Sequence, residues 1–300
     1  MELYQLRSFA AVAELGHLTR AAEKLHISQP ALSAQIKALE DELGVALFER
    51  TPSGMTLTGA GQRLLPEATK VVAAAGALSS HAKAMAGETA GRARVGTLAD
   101  PQFLRLGDFL AQALDRFPLV EIELHHEVSG AAFAKVRDGA LDASFYYGNL
   151  VHPSVHAMVL RPVAYRVVAP TAWRERVAKA GWDDIAALPW IMTPSISTHS
   201  ALAHQMFEVR GVAPSRRIEA DHEAVISSLV VAGLGVALMR EDLALEAAAA
   251  NDVFLWGDAR AETSLQFIYL DERKSDPVVR ALSDVVRDVW SEAPATRAAA

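Results

Sequence analysis

Cysteine is absent from the 300 residues, and its absence excludes disulfides, thiolate zinc sites, iron–sulfur clusters and cysteine nucleophiles. That fits a reducing compartment. Long apolar runs are missing too. The purest stretch, Ala224 to Met239, is sixteen residues that include two Ser and two Gly, against the roughly 20 that a spanning helix needs. The opening MELYQLRSFAAVAEL carries Glu2, Arg7 and Glu14 where a secretory signal would have a basic start followed by an uninterrupted apolar run. The expectation is a cytoplasmic protein with no membrane partner. Excess positive charge is also lacking: 29 Lys and Arg stand against 36 Asp and Glu, a net charge of -7. This argues against a wholesale polyanion binder but leaves room for local phosphate-gripping patches. What remains, 51% apolar and 22% charged residues, is the balance of a folded globular chain. Its length predicts two domains or one composite domain.

Catalytic signatures are equally scarce. The chain contains no G-x-S-x-G, no H-E-x-x-H and no G-x-x-x-x-G-K, and GLGVAL lacks the third glycine of G-x-G-x-x-G. His199 and His204 are five apart, which does not align them on one helical face as metal ligands four apart would be. His125 and His126 point to opposite faces of a strand. The expectation is a non-enzyme without cofactor or metal, with a hydrolase as the disfavoured alternative.

What is present begins with about ninety residues of almost purely helical pattern. Leu3, Leu6, Phe9 and Ala13 recur at helical spacing, and a second short helix follows Thr19, whose hydroxyl can cap its first turn. Ser28 suits the N-cap of a third helix with Pro30 in its first turn. At 100° per residue Leu32, Ile36, Leu39 and Leu43 share one face, leaving Pro30, Ala34 and Lys37, with Ser33 beside them, on the other. Two short helices joined across Leu25, His26 and Ile27, the second with a small, polar, weakly basic exterior, suit insertion into a DNA major groove. Pro52, Ser53 and Gly54 then supply turn chemistry between two extended runs, a wing.

From Thr58 onward Leu64, Ala68, Val71, Ala75, Leu78, Ala82 and Met85 recur at alternating steps of four and three, the repeat of a coiled-coil seam, which predicts a long dimerisation helix with Pro66 as a kink site. Near Gly87 to Gly91 the pattern changes to alternating strands and helices. ARVGTL reads as a strand, Asp100 and Pro101 as the opening of a helix with Phe103, Leu106, Leu110 and Leu114 on its face, and VEIELHH and DASFYY as strands around a helix from Ser129 to about Gly139. MVLRPVAYRVVAP is long enough to cross to a second α/β unit. That unit holds PWIMT, helices near 200–209 and 223–232, GVALM and DVFLW, before SLQFIYL and a helix from Asp276 return to the first. The pattern predicts mostly parallel sheets with a ligand cleft between the units, and a frayed PATRAAA tail.

Taken together, LRSFAAVAELGHLTRAAEKLHISQPALSAQIKALE and the residues through Pro66 closely resemble the DNA-binding head of LysR-type transcriptional regulators. ARVGTL, GALDASFYYG, SSLVVAGLGVALM and DPVVRAL extend that resemblance through the body. The resemblance implies an α/β chain in three parts. A winged helix-turn-helix spans 1–57 and a linker helix 58–90. A two-lobed effector domain like that of periplasmic binding proteins spans 91–300, with lobe I at 91–162 and 267–300 and lobe II at 163–266. It implies double-stranded DNA, a small-molecule effector, RNA polymerase and further copies of the chain, as homodimer or homotetramer, as partners. A transport solute-binding protein is the competing reading, against which the helical head argues.

By position, the resemblance puts Gln29, Pro30 and Ser33 at DNA and Thr19 and Arg50 near phosphates. The family frequently has Arg where this chain has Ala34, and a basic residue in the wing near Ser53. Both departures predict weaker affinity and altered readout. Effector contacts carry over to Asp100, Ser129, Tyr147, Thr198 and His199. Helix N-termini at residues 101, 130 and 199 favour a carboxylate, with Asp100 turned away as a cap. If Asp100 faces the cleft instead, it favours an amino or hydroxy acid.

Overall fold

The computed structural model describes residues 1–52 and 54–291, apart from the side chains of Arg216, Arg217 and Asp258. Ser53 of the wing and the PATRAAA tail lie outside the described residues. The head consists of α1 (Leu3–Leu15), α2 (Leu18–Lys24), α3 (Gln29–Leu43), the antiparallel hairpin β1 (Phe48–Thr51) and β2 (Gly54–Leu57), and the start of α4 (Gly59–Met85). Leu6, Phe9, Val12, Ala21, Ala22, Leu32, Ile36, Leu39 and Leu47 fill its core. Leu43 is exposed, because Gly44 in the left-handed region ends α3 there and the chain turns away from the core.

The N-terminus of α4 belongs to the head. Leu64 and Ala68, the first two positions of the seam, pack on the head core. Beyond them the stripe emerges into solvent, with Val71, Leu78 and Met85 exposed by 47%, 73% and 90% and the helix continuous through Pro66. The opposite face lies on the body. Ser80 is buried there against Gly91, where a Cβ would come within 2.6 Å of its hydroxyl.

The body runs β3 (Ala90–Thr97), α5 (Leu106–Arg116), β4 (Leu119–His126), α6 (Ser129–Arg137), β5 (Ala143–Tyr147), β6 (Val155–Pro170), α7 (Arg174–Val177), α8 (Trp182–Ala187), β7 (Pro189–Met192), α9 (Thr198–Glu208), β8 (Ser215–Glu219), α10 (Glu223–Val231), β9 (Ala237–Arg240), α11 (Glu241–Ala249), β10 (Val253–Leu270) and α12 (Pro277–Ser291). DVFLW and SLQFIYL, separate strands by their sequence pattern, are the two ends of β10. Its pairing with β6 shifts between Leu255 and Arg260.

The main sheet has the order β4-β3-β5-β10-β6-β9 and is mixed rather than mostly parallel. β3 is parallel to β4 and β5, whereas β10 runs antiparallel to β5 and β6, and β9 antiparallel to β6. The cause is the crossover. β6 carries the chain out to the second unit and β10 brings it back beside β6, so the two must run in opposite directions. β7 and β8 pair in parallel, and β7 bridges to Val236 just before β9. Val95, Phe109, Phe145, Phe267, Leu282 and Val286 pack the first unit, continuous with Trp190 and Phe207 of the second.

The helix expected at Pro101 begins instead at Leu106. Asp100 and Arg105 both have positive φ, 70° and 50°, so the intervening residues form turns rather than a first helical turn. The buried face of α5 is Leu106, Phe109 and Ala113, and Leu114 points outward.

Candidate functional site

In the head, α2 ends and α3 begins within four residues. The Ile27 N–H donates to Ala22 O and the His26 N–H to Glu23 O, a Schellman closure in which His26 (φ 54°) takes the left-handed position usually given to glycine. Ser28 then caps α3, its hydroxyl accepting from the Ala31 N–H at 3.3 Å. These local bonds set the angle between the two helices, and Ser8, donating to Gln35 at 2.6 Å, ties α3 to α1. Glu40 accepts from the Leu47 and Phe48 N–H groups at 2.7 and 3.1 Å, fixing the wing against the same helix. Sequence reading missed Glu40, because an acid at the end of an amphipathic helix reads as a solvated charge.

Gln29, Pro30, Ala34 and Lys37 are exposed along α3, with Ser33 partly so. Thr19, Gln29, Ser33 and Arg50 line one shallow groove together with Arg20, a cation to which the sequence reading gave no role. Thr19 is not a cap: α2 starts at Leu18 after His17. Its hydroxyl donates to Gln29 Oε1 at 3.4 Å and biases the glutamine toward the groove.

In the body, the C-terminal ends of β3, β4 and β5 face α9 and α10 across a narrow cleft whose cavity volume is about 70 Å³. Ser129, Tyr147, Thr198 and His199 all line it; Asp100 does not. Ser129 Oγ accepts from the Tyr147 N–H at 3.2 Å, and Thr198 Oγ1 donates to Tyr147 O at 2.5 Å across the lobes. The Tyr147 ring is thereby held in the cleft. Its hydroxyl is buried beside the Arg240 guanidinium, and burial pushes its pKa far above the ordinary value, an effect that Arg240 only partly offsets.

Of the helix N-termini expected at this cleft, those of α6 and α9 line it and the one at Pro101 does not form; the N-terminus of α10, with Glu223, lines it as well. First-turn N–H groups of α6 at Ser129 and Gly130, and of α9 at Thr198 and His199, have no intrahelical acceptor. A Cβ on Gly130 would come within 2.1 Å of Ile196 O, so the lobes touch backbone to backbone at this edge. Gly130→Val is expected to wedge them apart at a cost of about 1–3 kcal/mol. Small-angle scattering from the body of the variant showing an unchanged lobe separation would contradict that.

His199 is locked rather than offered to a ligand. Leu238 O, only an acceptor, lies 2.9 Å from Nε2, so the proton is on Nε2 and Nδ1 accepts from the Thr193 hydroxyl at 3.2 Å. Burial lowers the ring's pKa, which keeps it neutral. Asp100 is also committed. Oδ1 accepts from the Phe103 N–H at 3.0 Å, and Oδ2 pairs with Arg240 Nη2 at 2.7 Å.

Arg240, buried at the end of β9, grips Asp242 with two bonds of 2.7 and 3.0 Å and stacks over Phe103 at 3.7 Å. Its main-chain N–H donates to Glu223 Oε1 at 2.7 Å. Burial pushes the Glu223 carboxyl above its ordinary pKa, and the bond and charge of Arg240 only partly offset that. Arg240 joins the lobes through Asp100. Sequence reading missed it, although a lone cation closing the apolar run GVALMR ahead of acidic EDLALE is the signal that could have found it.

Comparison with known proteins agrees with this layout. Residues 3–62 match the model of the bacterial regulatory helix-turn-helix proteins of the lysR family, and residues 86–291 match the LysR substrate binding domain. The chain is 33% identical over 253 residues to the HTH-type transcriptional regulator IlvR of Caulobacter vibrioides, covering 79% of this chain and 82% of that one. It is 32% identical over 195 residues to TfdT of Cupriavidus pinatubonensis, covering 65% and 86%. Among solved structures, ArgP from Mycobacterium tuberculosis superimposes with a TM-score of 0.65 at 22% identity, covering 96% of each chain. Full-length CbnR complexed with its target DNA gives 0.60 at 23%, covering 96% of this chain and 99% of that one. At these identities the structures speak for the fold, whereas the two domain matches span the head and nearly all of the body. The chain belongs to the LysR family of ligand-responsive, DNA-binding transcriptional regulators.

Proposed function

We propose that residues 1–57 read DNA, that α4 within 58–90 pairs two copies, and that the body from 91 onward senses a small carboxylate-bearing molecule between its lobes. The observation that carries the reading is the single groove shared by Thr19, Arg20, Gln29, Ser33 and Arg50, flanked by the exposed Pro30, Ala34 and Lys37. The groove combines base-reading amide and hydroxyl groups with phosphate-seeking guanidinium groups. Ala34, where Arg is frequent, removes one bidentate donor, so sequence discrimination falls more heavily on Gln29.

In the body, the paired N-termini of α6 and α9 suit an anion. A ligand bridging Ser129 and Thr198 changes how the lobes sit and hence the angle between paired heads.

Gln29→Ala is expected to cost about 1–3 kcal/mol on the cognate site and to relax discrimination at one base position. Lys37→Ala is expected to weaken all sequences alike and to flatten the log–log salt dependence by about 1. Gel shifts over a salt series with an operator selected from genomic fragments read both effects. Wild-type affinity and slope in both variants would remove α3 from the groove.

A further inference from the structure

At about 70 Å³ the cleft is smaller than the roughly 300 Å³ at which small-molecule sites begin, so the lobes must part before a metabolite can enter. Whatever holds them together sets how readily they part. Within the cleft the ties are Thr198 on Tyr147 O and Gly130 against Ile196. A third tie lies outside it. Phe103, Arg161 and Arg240 do not line the cleft but meet at the wall of a separate cavity beside the crossover strands.

The segment after β3 is bent toward this tie at a cost. Asp100 and Arg105 are left-handed without being glycine, and such residues persist where surrounding contacts over-determine them. Asp100 takes the Phe103 N–H and the Arg240 guanidinium, while the Phe103 ring carries that guanidinium at 3.7 Å and the Arg161 guanidinium at 4.7 Å. Asp100 and Phe103 belong to lobe I and Arg240 to lobe II. Arg161 stands on the crossover itself, next to the step at which β6 carries one residue more than β10. Exposed, and with no hydrogen bond or ion pair among the described residues, it has the Phe103 ring as its partner. Arg240 also lies against the Tyr147 hydroxyl in the cleft wall, so one buried cation joins the cleft to the crossover.

Resting on the reading of the cleft as the effector site, we propose that Phe103, gripped by Arg240 and Arg161, is a latch that holds the lobes together at the crossover and must release before the cleft can admit a ligand. The ring is the working part: a cation over an aromatic face gains strength where water is excluded, and an aliphatic side chain in its place frees both guanidinium groups. Asp242 keeps Arg240 on lobe II, so opening parts it from Asp100 and Phe103 together.

A chain without cysteine allows the lobes to be labelled selectively. Val151→Cys in lobe I and Val209→Cys in lobe II, both exposed, take spin labels, and double electron–electron resonance on the full chain, diluted with unlabelled chain, reads the distance between lobes. Phe103→Leu in that background is expected to raise the population of the longer distance about 2- to 30-fold, the range of one cation–aromatic contact. Arg161→Gln, which disturbs no core, is expected to raise it by a smaller factor, and to add nothing in the Phe103→Leu background because its partner is gone. An unchanged distribution in Phe103→Leu would overturn the latch, and so would an Arg161→Gln shift undiminished in the Phe103→Leu background, which would assign the change to packing. Operator binding by the same variants without added ligand is expected to move in step with the distance. A distance shift with unchanged operator binding would leave the latch standing and remove the lobe angle from control of the heads.

Discussion

Val71→Asp combined with Leu78→Asp is expected to yield a monomer that binds a two-half-site operator about 10²–10⁴-fold more weakly than the parent protein, the advantage that linking two modules confers without any new contact. The two residues are 47% and 73% exposed in the isolated chain, so the substitutions disturb no core within it. In a paired seam the same carboxylates would be buried without partners, at a cost that rises with desolvation. The head alone has little to fall back on: residues 1–90 carry eight Lys and Arg against nine Asp and Glu, which gives weak non-specific attraction to phosphate. Leu64 and Ala68 are unsuitable for this experiment, since they pack on the head core and their loss would confound unfolding with dissociation. Sedimentation velocity of the double variant checks the first step and a gel shift the second. An unchanged oligomer would remove α4 from the pairing role, and a monomer with undiminished operator affinity would remove pairing from DNA binding.

Asp142→Ala is expected to destabilise the body by about 3–5 kcal/mol, the cost of stranding buried charge. The carboxylate accepts from the Arg94 main-chain N–H at 2.7 Å and from its guanidinium at 3.0 and 3.1 Å, and it also pairs with Arg273. Arg273 in turn holds Asp276 at 2.8 Å, and Asp276 caps α12 through the Val278 and Val279 N–H groups. One side chain thus joins β3, the approach to β5 and the start of α12. Burial pushes its pKa up, but the hydrogen bond and charge of Arg94, with the charge of Arg273, outweigh burial and hold it below the ordinary value. A depressed carboxyl stabilises the fold fully above its unfolded value near about 4 and loses that contribution as pH falls through the lower folded value. The gap between wild type and Asp142→Ala is therefore expected to be widest at neutral pH and to narrow below about pH 4. Urea unfolding of both proteins at the two pH values measures it, and a gap independent of pH would show that packing rather than charge accounts for the loss.

Features that depend on near neighbours in the chain were legible without coordinates. Ser28 as a cap, the Leu32–Ile36–Leu39 stripe, the hairpin around Gly54 and the long α4 all follow from capping, turn chemistry or 3.6-residue periodicity, each confined to a few consecutive residues. The resemblance of the first 66 residues to LysR-type heads rested on the same contiguous pattern. Thr19 shows the limit of such reasoning: a hydroxyl near a helix start suits a cap, and a shift of two residues makes it a helical residue bonded to Gln29 instead.

By itself the sequence determined the family and its two-lobed body through contiguous resemblance to LysR-type regulators, and it determined the helical head, the alternating α/β pattern of the body and the stripe along α4 because apolar periodicity and local hydrogen bonding are written in consecutive residues. Only the tertiary structure decided which polar groups remain for a ligand. Asp100 is spent on Arg240, 140 residues away, and His199 on Leu238 and Thr193. Leu64 and Ala68 are spent on the head core, and β6 and β10 lie antiparallel because the chain must return beside its own crossover. A buried polar group must be satisfied, but which group satisfies it depends on how distant segments meet in space, and no local pattern specifies that.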